Sequence, residues 1–431
     1  MVEELDPKQL FSLRGHSLSI SYLESIVLSE KRYAISSDSS GLVIIWDINI
    51  KRPFKQWQAH TDTILTIKQI ENELILTQSR DSTVKIWRIP SGSQSPIEVF
   101  LLPINSLNFC NIEYNNHNLF TPATVDSNNF DVYNLKWDDK DEFSFTRTIS
   151  NYSSYQTFKN HNKIEEIIRE GELARNDFGI IMKMLFIEES NRLFLGFESG
   201  EVIGLEITFN QQEISESVSV ETPPKESVSK LAGLFSTTPK SFDKTIINKD
   251  PSVKLIYANS FHSPNPVLSM AHNNNKLITG STNKKIVIHN YLDYSPETES
   301  ADHITIKKLN YSGVQSLIFN KIHEDLILVS YWSGLIEGIS LRSRESEIET
   351  KFSIKRELPS VSSIETTIAN SENERQLKGT IKLNCLMVME PHSDKLQQRS
   401  SYRELVRNRH NHSGQLIFSG FEDGTIVVYR L

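Results

Sequence analysis

This chain has few cysteines, no excess of basic residues and no long apolar run. Its 431 residues include two cysteines, Cys110 and Cys385, which is too few for a disulfide framework. We therefore interpret both as reduced core thiols and expect an intracellular, reducing compartment. No uninterrupted apolar stretch approaches the ~18 residues needed to span a membrane. Residues 1–6 are acidic and carry no apolar run, so we expect no signal peptide.

A basic excess is also missing, since 46 Lys and Arg face 54 Asp and Glu, for a formal net charge of −8. Binding to a phosphate backbone needs a concentrated basic face, so we expect no direct nucleic-acid contact as the main role. Arg399, Arg403 and Arg407 recur every four residues and would form one basic stripe if they were helical. That stripe fits either a dock for an acidic partner or nucleic acid, or the solvated face of an inserted helix.

Motifs for catalysis and cofactor binding are absent as well. The run from Gly280 to Lys285 lacks the spacing of a phosphate-binding loop, and no Cys-x2-Cys pair occurs. His392, His410 and His412 have no thiolate or carboxylate partners at metal-ligand spacing, so we interpret them as solvated loop residues. No Ser/His/Asp arrangement stands out. We predict no catalytic residues, no metal and no cofactor.

What is present is a strand–turn–strand pattern that recurs about seven times. Small polar pairs such as Ser40-Gly41 or Asp423-Gly424 precede β-branched runs that end in an aromatic residue. The clear copies end at Trp46, Trp87 and Tyr429, and the weaker ones at Tyr133, Leu205, His289 and Ile339. A further strand is predicted upstream of most copies, at 64–67, 104–109, 181–186, 267–270, 314–319 and 383–388.

The pattern resembles the WD repeat. Gly15-His16 matches that family's Gly-His element, Trp46-Asp47 matches its Trp-Asp element, and His60 precedes the second copy. The resemblance implies a hydrogen-bonded cluster of the His, a strand Ser or Thr, the turn Asp and the Trp. In the second copy these residues are His60, either Thr77 or Ser79, Asp81 and Trp87.

The first copy departs from this scheme, and the later ones depart further. In the first copy His16 and Trp46 are in place, but Asp38 lies two positions early and Ser40 holds the turn. The later copies lack both the His and the Trp of the motif, so we assign no cluster to them.

Seven such units predict an all-β fold, a seven-bladed WD40 β-propeller that spans residues 1–431 as one domain. The last copy stops at its third strand, and residues 9–13 form a spare strand at the start. We predict that this N-terminal strand completes the last blade and so closes the ring.

The repeat spacing breaks at four predicted long loop insertions, about 138–177, 213–259, 342–380 and 389–412. The first contains a helical patch at 164–168. The second is rich in Ser, Thr, Pro and Lys, which is typical of a mobile polar loop. In it, Thr222 and Thr238 each precede a proline and resemble proline-directed phosphorylation sites. Such loops either bind partners or are tolerated surface insertions.

Three segments carry a closer resemblance. The run from Gly41 to Asp47, the block Gln78-Ser79-Arg80-Asp81, and the run from Gly196 to Gly200 are similar to the ASTRA-associated protein 1 family of fungal WD-repeat proteins. The resemblance covers nearly the whole chain. It implies a non-catalytic scaffold subunit of the ASTRA complex, linked to chromatin remodelling and regulation. It also implies a role in maturing phosphatidylinositol-3-kinase-related kinases.

The same resemblance implies the partners and the location. The partners would be a kinase-like scaffold protein, RuvB-like ATPases and helical-repeat cochaperones, with this chain a monomer within the hetero-complex. The location would be the nucleus, with the cytoplasm as a further possibility. The alternative is a WD-repeat adaptor or substrate receptor of another assembly, such as a ubiquitin ligase or a trafficking coat. A propeller enzyme would need convergent carboxylates or metal ligands at the mouth of the ring.

Overall fold

The structure is a computed structural model that describes residues 5–92, 94–105, 109–137, 143–162, 177–209, 251–273, 276–294, 303–323, 325–342, 348–356, 381–390 and 414–431. Within these ranges the strands form seven antiparallel sheets of four strands each. The sheets are the blades of a seven-bladed β-propeller, as predicted.

The first four blades follow the chain in order after an initial strand, β1 (Lys8–Arg14). Blade 1 comprises β2 (Ile20–Leu28), β3 (Lys31–Asp38), β4 (Leu42–Asp47) and β5 (Arg52–Gln58). Blade 2 comprises β6 (Ile64–Glu71), β7 (Leu74–Ser79), β8 (Thr83–Arg88) and β9 (Ile97–Pro103). Blade 3 comprises β10 (Glu113–Asn115), β11 (Asn118–Pro122), β12 (Phe130–Trp137) and β13 (Phe143–Tyr152). Blade 4 comprises β14 (Ile181–Ile187), β15 (Arg192–Phe197), β16 (Val202–Thr208) and β17 (Ser252–Asn259).

The last three blades continue this order. Blade 5 comprises β18 (Val267–Asn273), β19 (Lys276–Ser281), β20 (Lys285–His289) and β21 (Ile304–Lys308). Blade 6 comprises β22 (Val314–Phe319), β23 (Leu326–Tyr331), β24 (Leu335–Ser340) and β25 (Glu349–Lys355). Blade 7 comprises β26 (Leu383–Met389), β27 (Leu416–Phe421) and β28 (Thr425–Arg430), with β1 as its fourth strand. Two short helices complete the described elements, α1 (Ser154–Asn162) and the 3₁₀ turn Glu188–Ser190.

The ring is closed by the N-terminus, which confirms the prediction made from the spare strand. β1 pairs antiparallel with β28, with Leu13 opposite Ile426. Leu13 is 2% exposed and belongs to one apolar cluster with Ile426 and with Trp46 of blade 1. The two ends of the chain therefore share one blade, and the hydrogen-bonding edge of β28 is covered.

Apolar packing fills the gaps between neighbouring blades. Between blades 1 and 2, for example, Ile35 and Ile45 pack in one cluster with Ile64, Ile75 and Trp87. Because each sheet uses both of its faces in this way, its middle strands are buried along their whole length, as in β7. This burial is the main favourable contribution to the fold.

The meander within each blade defines two faces of the disc. The connection into the first strand and the turn between the second and third strands lie at one end, which we call the top face. The remaining turns lie at the opposite end, the bottom face. The first strand of every blade is innermost, and the fourth lies at the outer edge.

Three predicted insertions are drawn too wide. β13 lies within 138–177, β17 within 213–259 and β25 within 342–380. These are outer strands with much of their length in solvent, so their polar composition resembles that of a loop. Helix α1 also lies in the first of these segments. The predicted helical patch at 164–168 and nearly all of 389–412 lie outside the described residues.

The predicted inner strand at 104–109 is wrong, because the first strand of blade 3 is the three-residue β10. Hydrogen bonds from side chains hold this short strand region to the neighbouring blades. Asn111 donates to the carbonyl oxygen of Met184 at 3.0 Å and accepts from its amide at 3.0 Å, while Gln78 accepts from the Ile112 amide at 3.1 Å. Blade 3 is thus held to both of its neighbours by amide side chains, which leaves Phe109 exposed in the connection.

Both cysteines are free and buried, Cys110 in the connection before β10 and Cys385 on β26. Burial raises the pKa of both thiols, which suits the core role predicted for them. Across the described ranges, no helix is long and apolar enough to cross a membrane.

Candidate functional site

The second blade brings together the residues that the WD pattern singles out. His60 lies in the connection before β6, and its Nδ1 is 2.9 Å from Asp81 Oδ2. Its Nε2 is 2.7 Å from Thr77 Oγ1, to which Trp87 Nε1 donates at 3.0 Å. The strand hydroxyl of the cluster is therefore that of Thr77. Ser79 lies beside the cluster and donates to the Asp62 carbonyl oxygen at 3.0 Å.

The direction of these hydrogen bonds follows from the carboxylate. An ionised Asp81 can only accept, so the His60 Nδ1 carries a proton and Nε2 is the acceptor. The Thr77 hydroxyl then donates to Nε2 and accepts from the Trp87 indole. Each donor in the cluster therefore has an acceptor.

Blade 1 builds the same cluster from the shifted residues. His16 Nδ1 is 2.8 Å from Asp38 Oδ2, His16 Nε2 is 2.7 Å from Ser36 Oγ, and Trp46 Nε1 donates to Ser36 Oγ at 2.7 Å. Asp38 still reaches His16 despite its two-residue offset, because the turn holds its carboxylate in place. The Ser40 amide and hydroxyl both donate to Asp38 Oδ1. Ser40 thus orients the carboxylate.

Hydrogen bonding keeps both carboxylates ionised. Burial by itself raises the pKa of Asp81, but hydrogen bonds from Thr83, His60 and the Thr61 amide outweigh it and lower the pKa below its usual value. Asp38 behaves alike, with His16 and Ser40 outweighing burial. Burial lowers the pKa of His60, and the charge of Asp81 offsets only part of this. His60 is therefore neutral at pH 7.

The Asp38–His16–Ser36 array has the connectivity of a hydrolase triad, but it cannot act as one. Ser36 is 0% exposed, and its oxygen already accepts the Trp46 N–H. A nucleophile must reach a substrate carbon, and this one is sealed beneath the top face. The cluster's effect is structural, since it fixes the connection that carries the His against the turn that carries the Asp.

The fifth blade has a related cluster that the sequence analysis missed. His262 Nε2 is 2.7 Å from Thr279 Oγ1, and Thr279 Oγ1 is 2.7 Å from His289 Nε2. His289 Nδ1 is 2.6 Å from the hydroxyl of Tyr257. The prediction that the later blades lack the motif His is therefore wrong for blade 5, where His262 holds that position and His289 replaces the Trp.

Spacing was the signal that could have found this cluster. Seventeen residues separate His60 from Thr77, and also His262 from Thr279. Ten residues separate Thr77 from Trp87, and Thr279 from His289. The same register puts Asn283 where blade 2 has Asp81.

The cluster of blade 5 lacks a charged end. His262 Nδ1 and Asn283 Oδ1 are both buried without a hydrogen-bond partner among the described residues. Burial, with a smaller contribution from the charge of Lys285, lowers the pKa of His262 to about 4. Burial lowers the pKa of His289 as well. Both imidazoles are therefore neutral over the physiological range.

Charged side chains also line the inner strands of blades 1 to 4. Lys68 Nζ is 2.5 Å from Glu113 Oε2, and Asn111 donates to Glu113 Oε1 at 2.9 Å. Burial raises the pKa of Glu24 and lowers that of Lys183, which face the same pair. Opposite charges neutralise one another here, and the array joins blades rather than presenting a reactive group.

The remaining predicted site residues lie outside the described ranges: Thr222, Thr238, Arg399, Arg403, Arg407, His392, His410 and His412. In the part of the chain that is described, no group of three or more His, Cys, Asp or Glu side chains could hold a metal ion.

The top face is where the described surface offers contact area. Six large apolar side chains are exposed on its connections and turns: Leu18, Phe109, Val125, Phe261, Tyr311 and Trp332. Aromatic side chains placed on rigid turns are typical anchors of protein–protein contacts. At the bottom face, a cleft of about 550 Å³ lies between blades 5 and 6, where Lys276 and Lys307 line one wall and Leu341 the other.

Comparison with known proteins shows the family to which this propeller belongs. The family model for ASTRA-associated protein 1 matches residues 9–429. The chain belongs to the ASTRA-associated protein 1 family. A relative of that name from Scheffersomyces stipitis is 41% identical over 100% of both chains. Others from Debaryomyces hansenii and Candida albicans are 33% and 36% identical, over at least 98% of each chain.

Two solved structures share the fold with this member of the ASTRA-associated protein 1 family. Saccharomyces cerevisiae Sqt1 superposes with a TM-score of 0.57 at 8% identity, covering 99% of this chain and 100% of that one. The computationally designed protein Ika8 gives a TM-score of 0.50 at 13% identity, covering 98% and 100%. At these identities the likeness concerns the fold alone.

Proposed function

We propose that the chain is a non-catalytic scaffold subunit of the ASTRA complex. The observation that carries this proposal is the match to ASTRA-associated protein 1 over residues 9–429, with relatives of that name aligned from end to end. The propeller supports it physically, because a rigid ring offers two faces and a rim to several partners at once. The buried hydroxyls and imidazoles of the clusters add no accessible nucleophile.

Within this proposal the partners are a kinase-like scaffold protein, RuvB-like ATPases and helical-repeat cochaperones. The chain would act with them in maturing phosphatidylinositol-3-kinase-related kinases and in chromatin regulation, in the nucleus. The loops of 138–177 and 342–380 are further docking candidates for an α-solenoid partner, although most of their residues lie outside the described ranges.

The test is affinity purification of the tagged full chain from native extract, followed by mass spectrometry. We expect RuvB-like ATPases and the kinase-maturation cochaperones to remain bound, and a tagged propeller of another family to recover neither. Recovery of ubiquitin-ligase scaffold or coat subunits in their place would overturn the assignment and favour the adaptor alternative. Fluorescence imaging of the tagged chain tests the nuclear location separately.

A further inference from the structure

We infer that the top face of blades 5 and 6 is a docking site for an acidic peptide segment with an apolar anchor residue. Three exposed aromatic side chains, Phe261, Tyr311 and Trp332, define what we call the aromatic platform. They come from the connection into β18, the connection into β22 and the turn between β23 and β24.

The platform is held rigid by a series of hydrogen bonds that joins four loops. The Trp332 amide donates to the Gly313 carbonyl oxygen at 3.0 Å, and the Gly313 amide donates to the Thr282 carbonyl oxygen at 3.0 Å. The Thr282 hydroxyl continues the series to Asn265 Oδ1 at 3.1 Å, in the loop of Phe261. A partner would therefore meet side chains that are already ordered, which reduces the entropy lost on binding.

One face of the Trp332 indole packs against the protein, and the other is exposed to solvent. A Cβ added to Gly313 would lie 2.7 Å from Trp332 Cε3, so the indole packs against the bare glycine backbone. The side chain is still 44% exposed, and the neighbouring Tyr311 is 47% exposed. Tyr311 meets the buried ring of Tyr331 edge-on, with the ring centroids 5.6 Å apart. A large aromatic surface fixed in this way and left in water is typical of a binding anchor.

Charge around the platform decides what kind of partner fits. Lys285 donates to the Phe261 carbonyl oxygen, while Lys284 lies in the turn before β20 and Lys308 at the end of β21. The loops at 259–266, 281–285, 308–313 and 331–335 contain no Asp or Glu, and the Glu337 carboxylate beneath them is buried and accepts from the Tyr331 hydroxyl. Lys285 and Lys308 are direct cross-strand partners, and an anion bound nearby would reduce the repulsion between these like charges. In a chain of net charge −8, this local basic excess favours an acidic ligand.

This assignment deepens the proposed function, on which it rests for the idea that the ring is a scaffold. Its test uses only the purified full chain and peptides, so it can fail while the copurification succeeds. A phage library of random dodecapeptides is selected against the chain, and enriched sequences are resynthesised with a fluorescent label. We expect enrichment of Asp and Glu around an aromatic or aliphatic residue.

Variants then locate the site. Trp332→Ala should weaken the selected peptides at least tenfold, and the double variant Lys284→Glu with Lys308→Glu should do so without removing any apolar contact. Matched controls are Phe54→Ala, an exposed aromatic on outer strand β5, and Lys136→Glu with Lys254→Glu in blades 3 and 4; both should bind as the parent does. Affinity should also fall as salt is raised.

Three results would overturn the inference. The first is a selection that enriches nothing, or enriches neutral or basic sequences. The second is an acidic set that binds all variants equally. The third is a labelled oligothymidylate that binds in a Trp332-dependent manner when no peptide does, since the platform would then serve nucleic acid.

Discussion

Blades 2 and 5 build the same hydrogen-bonded cluster at the same spacing, one with a carboxylate at its end and one without. In blade 2, Asp81 accepts from His60, whose other nitrogen meets Thr77. In blade 5, the Thr279 hydroxyl contacts both His262 and His289, and His262 Nδ1 has no hydrogen-bond partner among the described residues.

The difference teaches what the acidic residue of the motif contributes. The strand hydroxyl alone is enough to gather the aromatic ring and the imidazole, since blade 5 does this without an Asp. The carboxylate adds a fixed tautomer and an acceptor for the last buried donor, which a neutral cluster lacks. We therefore expect the two blades to respond differently to the same perturbations.

The largest effect is expected from removing the shared hydroxyl. Thr77→Val leaves His60 Nε2 and the Trp87 N–H without partners in a buried site, which we expect to cost about 4 kcal/mol of unfolding free energy. Thr279→Val should cost less, about 3 kcal/mol, because no carboxylate fixes the His262 ring, which can therefore turn towards another partner. Urea unfolding followed by tryptophan fluorescence measures both.

Thr77→Ser is the matched control for these variants, because it keeps the hydroxyl that blade 1 obtains from Ser36. It should lose only about 1 kcal/mol, for the missing methyl group. Equal urea midpoints for Thr77→Val and Thr77→Ser would show that the hydroxyl is not the organising atom.

The next largest effect is expected from acid, which should lower the free energy of unfolding through His262 of blade 5. The pKa of His262 is about 4 in the folded chain, against 6.5 as its ordinary value. Between these values the unfolded chain binds a proton that the folded chain does not, so stability is lost as pH falls from 6.5 towards 4. From pH 7.5 to 4.5 this side chain should cost on the order of 2–3 kcal/mol.

Other groups titrate over the same range, so the comparison needs a variant without the imidazole. His262→Asn should be less stable at pH 7.5, yet its urea midpoint should depend less steeply on pH than that of the parent. Parallel pH profiles for the two proteins would contradict the role given to His262.

The sequence predicted blade 2 well and blade 5 poorly for a physical reason. His60, Asp81 and Trp87 are the residue types that the motif names, so the pattern could be read directly. In blade 5, His289 replaces the Trp and Asn283 replaces the Asp, so the hydrogen bonds of His262 and Thr279 form although these residue types differ from the motif. Closure by β1 was predictable because counting strands requires no residue identity. Outer strands such as β13 were not, since a half-solvated strand has the composition of a loop.

Removing the carboxylate of blade 2 should make it resemble blade 5. Asp81→Asn keeps the size of the side chain but weakens the hydrogen bonds from His60, Thr83 and the Thr61 amide. We expect a loss of about 2 kcal/mol and a further fall in the pKa of His60. NMR titration of the His60 Cε1 proton would report the second effect; an unchanged pKa would mean that burial alone sets it.

The reverse change, Asn283→Asp, should complete the cluster of blade 5 and have the smallest effect. A carboxylate at this position can accept from His262 Nδ1, and the nearby positive charge of Lys285 offsets part of the cost of burying it. We expect a gain of about 1 kcal/mol at pH 7.5. The pKa of His262 should rise, so the loss of stability between pH 6.5 and 4 should shrink. Asn116→Asp, an exposed substitution in the turn between β10 and β11 of blade 3, controls for the added charge. If both variants gave the same midpoint and pH profile, the spacing that equates Asn283 with Asp81 would have no energetic meaning.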